Sequence, residues 1–308
     1  MILSVTLNLA VDVTYHVDHL RRSETTRVDR VGRRAGGKGA NVARVLRALG
    51  REVALTGFAG GFTGAAARAE LASTGIADET IAITGESRLT FMLVEDDGTA
   101  TGFSELGPEI SVQECEALLA RYRRLVESAE AVVVSGSLPR GVPSDIYGRL
   151  IESANRADVP TLLDADGAAL EQALAAHPRV VKINAAELAG VVRGVDVVTG
   201  AAQLLRRSRA EAVVISEGAD GMTCVMDGRA LHVAPPRELR GNPTGAGDAA
   251  SAALITGLID RIPWSERLVD AAALSAAAVA APLAGSFHPN VYEDLRGRIV
   301  ARELPAGS

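Results

Sequence analysis

The segment Gly241-Asn242-Pro243-Thr244-Gly245-Ala246-Gly247-Asp248 runs straight into an apolar helical pattern at 249–258. Glycines there let the backbone fold tightly and bring N–H groups close to an anion. The unpaired N–H groups and the positive dipole end of the following helix favour phosphate at the same point. Asp248, in the first turn, stands where a base for phosphoryl transfer must stand. The competing reading is an ordinary helix start in which Asp248 serves the dipole. A loose G-x-G-x-x-A dinucleotide pattern also fits, but a polar loop precedes it where a strand is required.

A second glycine turn, Gly36-Gly37-Lys38-Gly39-Ala40-Asn41, opens a helix carrying Val42, Val45, Leu46 and Leu49. Gly32 to Gly39 nearly forms a P-loop, yet position 39 is glycine where the motif needs a hydroxyl ligand for Mg²⁺, and no buried strand precedes it. What remains is close approach of a small ligand, with Lys38 and Asn41 as donors, or a plain structural turn. Three further segments follow apolar runs: Ser135-Gly136-Ser137-Leu138-Pro139, Asn184-Ala185-Ala186-Glu187 and Ser216-Glu217-Gly218. Each sits at the carboxyl end of an expected parallel strand, the edge where open α/β sheets bind ligands. Asn184 with Glu187 also reads as an N-cap and its N3 partner.

Positioning these residues requires a particular scaffold. Apolar runs at 2–8, 53–58, 131–135, 159–164, 179–183 and 211–216 predict central strands. Helical patterns fall between them, near 39–49, 64–73, 111–127, 144–157, 167–176 and 198–209, and helix follows helix from 246 to about 302. This rhythm predicts an α/β fold with a mostly parallel sheet covered on both faces, in one domain spanning 1–308. Residues 11–34 and 88–105 break the rhythm. They are strand-like, with a hairpin signal at Asp96-Asp97-Gly98-Thr99, and are expected to pair as a small sheet over the main body. Its outer face needs a cover, which a second subunit would supply.

Composition excludes several partners. Net charge is −6 and aromatics are 3% of the 308 residues, so neither a basic surface nor a stacking platform for nucleic acid is available. The arginine groups at Arg121, Arg123, Arg124 and at Arg206, Arg207, Arg209 lie in helical patterns and read as solvated faces. Cys115 and Cys224 lack metal-ligand spacing and read as thiols of a reducing compartment. The opening run at 2–7 lacks a basic region and a cleavage site, and the Ala-rich stretch at 271–285 is broken by Pro282 and Gly285. A cytoplasmic location without a membrane partner is expected.

The two glycine motifs, Gly36 to Asn41 and Gly245 to Asp248, resemble in order and context those of the ribokinase-like (PfkB) carbohydrate kinases, over essentially the whole chain. Within that family, Thr6 to Asp12, Gly85-Glu86-Ser87-Arg88, Glu105 to Ile110 and Ser135 to Pro139 are similar to the branch of 1-phosphofructokinases and tagatose-6-phosphate kinases. Gly241-Asn242-Pro243-Thr244 looks closer to the latter. The resemblance implies a three-layer αβα sandwich with a β lid over the sugar. It implies Asp248 as general base and the N–H groups of Gly245, Ala246, Gly247 and Asp248 as an anion hole. Asp12, Gly37, Lys38, Asn41 and Ser137 would line the sugar site, and Arg88 would bind a phosphate already on the substrate. Lys182, Asn184, Ser216 and Gly218 would face ATP, with Asn184 and Glu187 organising Mg²⁺ largely through water. The implied partners are ATP, a phosphosugar and a second copy through the lid. The implied activity is phosphorylation of a phosphorylated ketohexose, tagatose 6-phosphate or fructose 1-phosphate, to the bisphosphate. A kinase of an unphosphorylated sugar or nucleoside, and a silent sugar-phosphate binding protein, are the alternatives. Departures are Leu9 where relatives carry proline, Ile183 between Lys182 and Asn184, and Leu89-Thr90 where an asparagine often follows the arginine.

Overall fold

The computed structural model describes residues 1–235 and 241–304. In chain order the first strands are β1 (Ile2–Thr6), β2 (Ala10–Val17), β3 (Arg30–Gly36), β4 (Val53–Gly60), β5 (Ala77–Asp78), β6 (Ile81–Ile83), β7 (Arg88–Glu95) and β8 (Ala100–Ser104). They are followed by β9 (Ala131–Ser135), β10 (Thr161–Asp164), β11 (Val180–Asn184), β12 (Ala212–Ser216), β13 (Met222–Met226), β14 (Arg229–Val233) and β15 (Arg302–Leu304). The helices are α1 (Lys38–Ala48), α2 (Gly61–Ser73), α3 (Val112–Val126), α4 (Ile146–Arg156), α5 (Gly167–Leu174), α6 (Ala185–Val191), α7 (Val197–Ser208), α8 (Ala246–Ile259), α9 (Trp264–Val279) and α10 (Pro289–Arg296).

The main sheet runs β15-β14-β13-β12-β11-β10-β9-β1-β4-β5, with β6 also on β4. Its centre is parallel: Ile2 pairs with Val53 on one side and Ala131 on the other. These strands are continuous apolar runs because both faces are covered, and the two-residue period divides them between two cores. Ile2, Ala131, Val133, Ala212 and Val214 face the layer containing α1, α8 and α9. Leu3, Val5, Val132, Val134, Val213 and Ile215 face α3, α4, α5 and α7. This is the expected ribokinase-like α/β sandwich.

Past β12 the sheet turns antiparallel through β13, β14 and β15, which the sequence reading did not anticipate. A hairpin signal was present: Asp227-Gly228 joins β13 to β14, with Gly228 at φ 68°, the left-handed conformation that such turns demand. α2 begins at Gly61, three residues before the expected start at 64.

The small sheet forms as expected, in the order β3-β2-β7-β8. The strand-like segment at 11–34 contributes two strands, and residues 18–29 between them carry no strand. β2 lies parallel to β7 and antiparallel to β3, so Asp12 is flanked by Arg34 on one side and Thr90 on the other. Asp96 to Gly98 make the turn into β8, with Gly98 at φ 90°.

Candidate active site

Four parallel strands deliver polar residues to one edge. β9 ends on Ser135, β10 on Asp164, β11 on Asn184 and β12 on Ser216. Asp164, which sequence reasoning missed, is the hub. It is fully buried and accepts hydrogen bonds from Lys38 Nζ at 2.9 Å, Lys182 Nζ at 2.8 Å and Ser251 Oγ at 3.0 Å. Burial alone would raise its pKa, but the Lys182 and Lys38 ammoniums hold it well below the ordinary carboxylate range. Burial likewise opposes the charge on Lys38, and Asp164 with Glu187 more than offsets it, so Lys38 stays protonated. Glu187 Oε1 lies 3.4 Å from the same Lys38 ammonium. The strand-end rule that selected Ser135, Asn184 and Ser216 applies equally to Asp164.

Asp248 sits in the first turn of α8, whose N-cap Gly245 has φ 86°. It is 6% exposed and accepts from Asn41 Nδ2 at 2.9 Å. Burial, then the charge of Asp164, push its pKa up to about 6, against the opposing pull of Lys38, the Asn41 amide and Lys182. A Cβ added at Gly247 would lie 2.6 Å from Lys182 Nζ, so the glycine is what admits an ammonium against the helix N-terminus. Lysine and helix end together make an anion-binding corner, with a carboxylate of near-neutral pKa beside it.

Above this corner hangs the small sheet. Asp12 packs over Gly36, where a side chain would collide with its carboxyl group. Burial raises the Asp12 pKa to about 6, against the pull of Arg88, Arg44 and Arg34 and the Thr90 hydroxyl. Arg88 donates from Nε to Asn8 O at 3.1 Å and from Nη1 to Thr90 Oγ1 and Glu105 O, both at 3.3 Å. A surface pairing of Arg88 with Glu86 or Glu95 is not what forms. Glu86 accepts from the Phe62 and Thr63 amides, and Glu95 from the Leu20 amide. Asn8 Nδ2 donates to Ser137 Oγ at 3.3 Å, which links the 135–139 segment to the connection between β1 and β2. Gly37, at φ 97°, caps α1. The side-chain oxygens of Asn8 and Asn41 are buried without a protein partner, and buried acceptors of that kind call for a donor such as a hydroxyl group.

On the other side of the anion corner lies a cleft of about 360 Å³. Asn184, Ser216 and Gly218 line it, together with Ala246 and Gly247. Its remaining wall is largely apolar, with Met222, Ala272, Ala276 and Val279 beside Ser275, none of which a sequence motif marked. Lys182 does not line this cleft; it is buried beneath, on Asp164. Asn184 and Glu187 form a reciprocal capping box at the start of α6, each bond 2.8 Å. Among the described residues no group of three or more His, Cys, Asp or Glu could hold a metal ion. Mg²⁺ is usually held by one or two carboxylates, waters and substrate phosphates, without a protein cage. Glu187, in the first turn of α6 and 3.4 Å from Lys38 Nζ, is a carboxylate next to Asn184 of the cleft wall.

Such an arrangement, with a buried carboxylate at a helix N-terminus between a polar pocket under the small sheet and a largely apolar cleft, suits transfer of a phosphoryl group to a hydroxyl. The chain belongs to the pfkB family of carbohydrate kinases, whose profile matches residues 3–290. Among solved structures it is similar to phosphofructokinase-2 from Escherichia coli in complex with potassium, at 25% identity and TM-score 0.87, over 96% of this chain and 98% of that one. A possible 1-phosphofructokinase from Thermotoga maritima shares the fold at 22% identity and TM-score 0.91, covering 98% and 99% of the two chains. The ribokinase of Arabidopsis thaliana shares it at 18% identity and TM-score 0.73, covering 96% and 98%.

Proposed function

We propose that this kinase transfers the γ-phosphoryl group of ATP to a hydroxyl of a phosphorylated ketohexose, with Asp248 as the base. The observation that carries the reading is Asp248 itself, a buried carboxylate with a pKa near 6, bonded by Asn41, in the first turn of α8 where Lys182 adds to the positive helix N-terminus. Asp12, Gly37, Lys38 and Asn41 hold the sugar, and Ser137 closes the pocket. Asp248 takes the proton of the attacking hydroxyl while the new P–O bond forms and the bond to the departing ADP breaks. The N–H groups of 245 to 248 and the Lys38 and Lys182 ammoniums meet the charge spread over the transferring group. Mg²⁺, when bound, neutralises phosphate charge, with Asn184 and Glu187 as its water-mediated contacts. Ser216 and Gly218 face the nucleotide, whose base fits the apolar wall. The small sheet acts as a lid that excludes water.

Arg88 supports a phosphosugar, because its fork is held by backbone carbonyls close to Asp12 and suits bidentate phosphate binding. Phosphofructokinase-2 from Escherichia coli has been solved in complex with fructose-6-phosphate, which joins tagatose 6-phosphate and fructose 1-phosphate as a candidate substrate here. The exposed face of the lid, with Val31 and Phe103, suits a homodimer, although a tetrameric inhibited form exists for the Escherichia coli enzyme. No described helix is long and apolar enough to cross a membrane. A coupled ADP-release assay across the three phosphosugars and their free parents tests the reading. Selective turnover of one phosphosugar is expected. Turnover of free sugars alone would favour the free-sugar kinase, and no turnover of any would favour a silent binding protein.

A further inference from the structure

The turn at 282–285, between α9 and α10, touches both the lid and the glycine turn before α8. On the lid side, a Cβ at Gly32 of β3 would lie 2.5 Å from Leu283 Cδ2, and Arg34 Nη1 donates to Ala284 O at 2.6 Å. On the α8 side, a Cβ at Gly245 would lie 3.0 Å from Gly285 N and 3.2 Å from Ala284 Cα. Asn242 Nδ2 reaches Pro282 O at 3.4 Å, and Asn242 Oδ1 accepts from Thr244 N at 3.0 Å. Gly285 packs against Asn41 and Arg44 of α1, where a Cβ would lie 3.0 Å from Asn41 Oδ1 and 2.8 Å from Arg44 Cδ. Thus a single turn, without room for one added methyl at several points, is wedged between the lid strand, the residue that bonds Asp248, and the N-cap of α8. Packed interfaces of this density move as units.

We propose that Arg34 is a positioning residue: by holding Ala284 it ties lid strand β3 to the Gly241–Gly245 turn, so that the amides of 245 to 248 reach their phosphate-binding arrangement only while the lid is seated. This rests on the reading of the site as a lidded kinase. It assigns the lid a part in building the electrophilic side of the reaction, in addition to covering the sugar. Arg34 also faces Asp12 across the β2–β3 pair, so a role confined to the sugar pocket is the rival explanation, and the two differ in what they move.

Three variants separate them: Arg34→Met, which keeps the stem and removes the donor; Arg34→Lys, which keeps a donor; and Leu283→Ala, which loosens the same wedge without touching charge. Hydrogen exchange is read at the Thr244 amide and at the Ala246 amide, which donates to Pro243 O at 3.2 Å. Steady-state kinetics follow on the substrate identified by the ADP-release screen. For Arg34→Met the expected result is at least tenfold faster exchange at both amides, without a matching change at buried amides of β9, and at least a tenfold lower kcat. KM for ATP should stay within about twofold. Arg34→Lys should restore most of both, and Leu283→Ala should reproduce both in smaller measure. Unchanged exchange at 244 and 246, or a rise confined to the sugar KM with kcat intact, would overturn the coupling and leave Arg34 to Asp12. Should Arg34→Met not fold, Leu283→Ala decides by the same two readings. If no sugar is turned over, the kinase reading fails on its own, while the exchange comparison still decides whether lid and turn are linked.

Discussion

Replacing Asp248 with asparagine removes a carboxylate whose charge is disfavoured first by burial and then by Asp164. Its pKa in the folded protein, about 6, lies above the ordinary 3.8, so the fold binds this proton more tightly than the unfolded chain does. The stabilisation is fully present below pH 3.8 and is lost as the pH rises through 6. At about 1.4 kcal/mol per pH unit, keeping Asp248 ionised costs about 3 kcal/mol of folding stability. The neutral amide of Asp248→Asn escapes that cost, while its oxygen can still accept from Asn41. The variant should therefore be more stable than wild type at pH 8 by up to about 3 kcal/mol. The advantage should fall to roughly half at pH 5 and vanish near pH 3. With about 2.1 cal/mol/K of unfolding entropy per residue, the shift at pH 8 is roughly 5 °C in Tm. Scanning calorimetry at pH 5, 6.5 and 8 reads it directly. In parallel, kcat should fall by about 10² to 10⁴, the usual worth of a general base, and wild-type kcat/KM should drop about tenfold per unit below pH 6. A Tm difference that does not change with pH, or a variant with near-native kcat, would refute the account of Asp248 as a destabilised base.

Arg88→Ala should raise KM for the phosphosugar about ten- to a hundredfold, from charge-assisted bonds worth about 1.5–3 kcal/mol, and leave KM for ATP unchanged. Arg88→Lys should recover only part of the loss, and an equal loss on the unphosphorylated parent sugar would point to the free-sugar kinase. Asp164→Asn strips Lys38 and Lys182 of their shared anion. Urea unfolding should show a loss of about 3–5 kcal/mol, toward the lower end because Lys38 is a third exposed and keeps Glu187 beside it. An unchanged midpoint would mean the network carries no stability. Sedimentation at micromolar concentration should show a dimer, and a monomer would leave the outer lid face without its expected cover.

Much of this architecture was legible because local chemistry and global position agree. Runs such as Val132-Val133-Val134 and Val213-Val214-Ile215 need cover on both faces, which specifies a parallel sheet and then the edge where Ser135, Asn184 and Ser216 emerge. Asp164 escaped notice because its meaning comes from Lys38, 126 residues away, as much as from Lys182, 18 residues away. One carboxylate after two leucines says nothing about a shared pair of ammoniums. The apolar wall of the cleft beside Asn184 and Ser216 escaped for the opposite reason, since Ala272, Ala276 and Val279 are ordinary core residues of α9 until the sheet places them. Arg34 read as one polar residue in an alternating strand. Only the fold brings Ala284, 250 positions later, to its guanidinium.

The main sheet is long but finishes bluntly. β5 at one end has two residues, one of them Asp78, and β15 at the other has three, including Arg302 and Glu303. Short charged margins give an incoming chain little to pair with. The lid sheet finishes on the longer strands β3 and β8, seven and five residues. Growth by adding strands is thus discouraged across the large sheet and left open at the small one. If this chain self-associates, strand pairing is thereby steered away from the large sheet and toward the small sheet that carries Asp12 and Arg88.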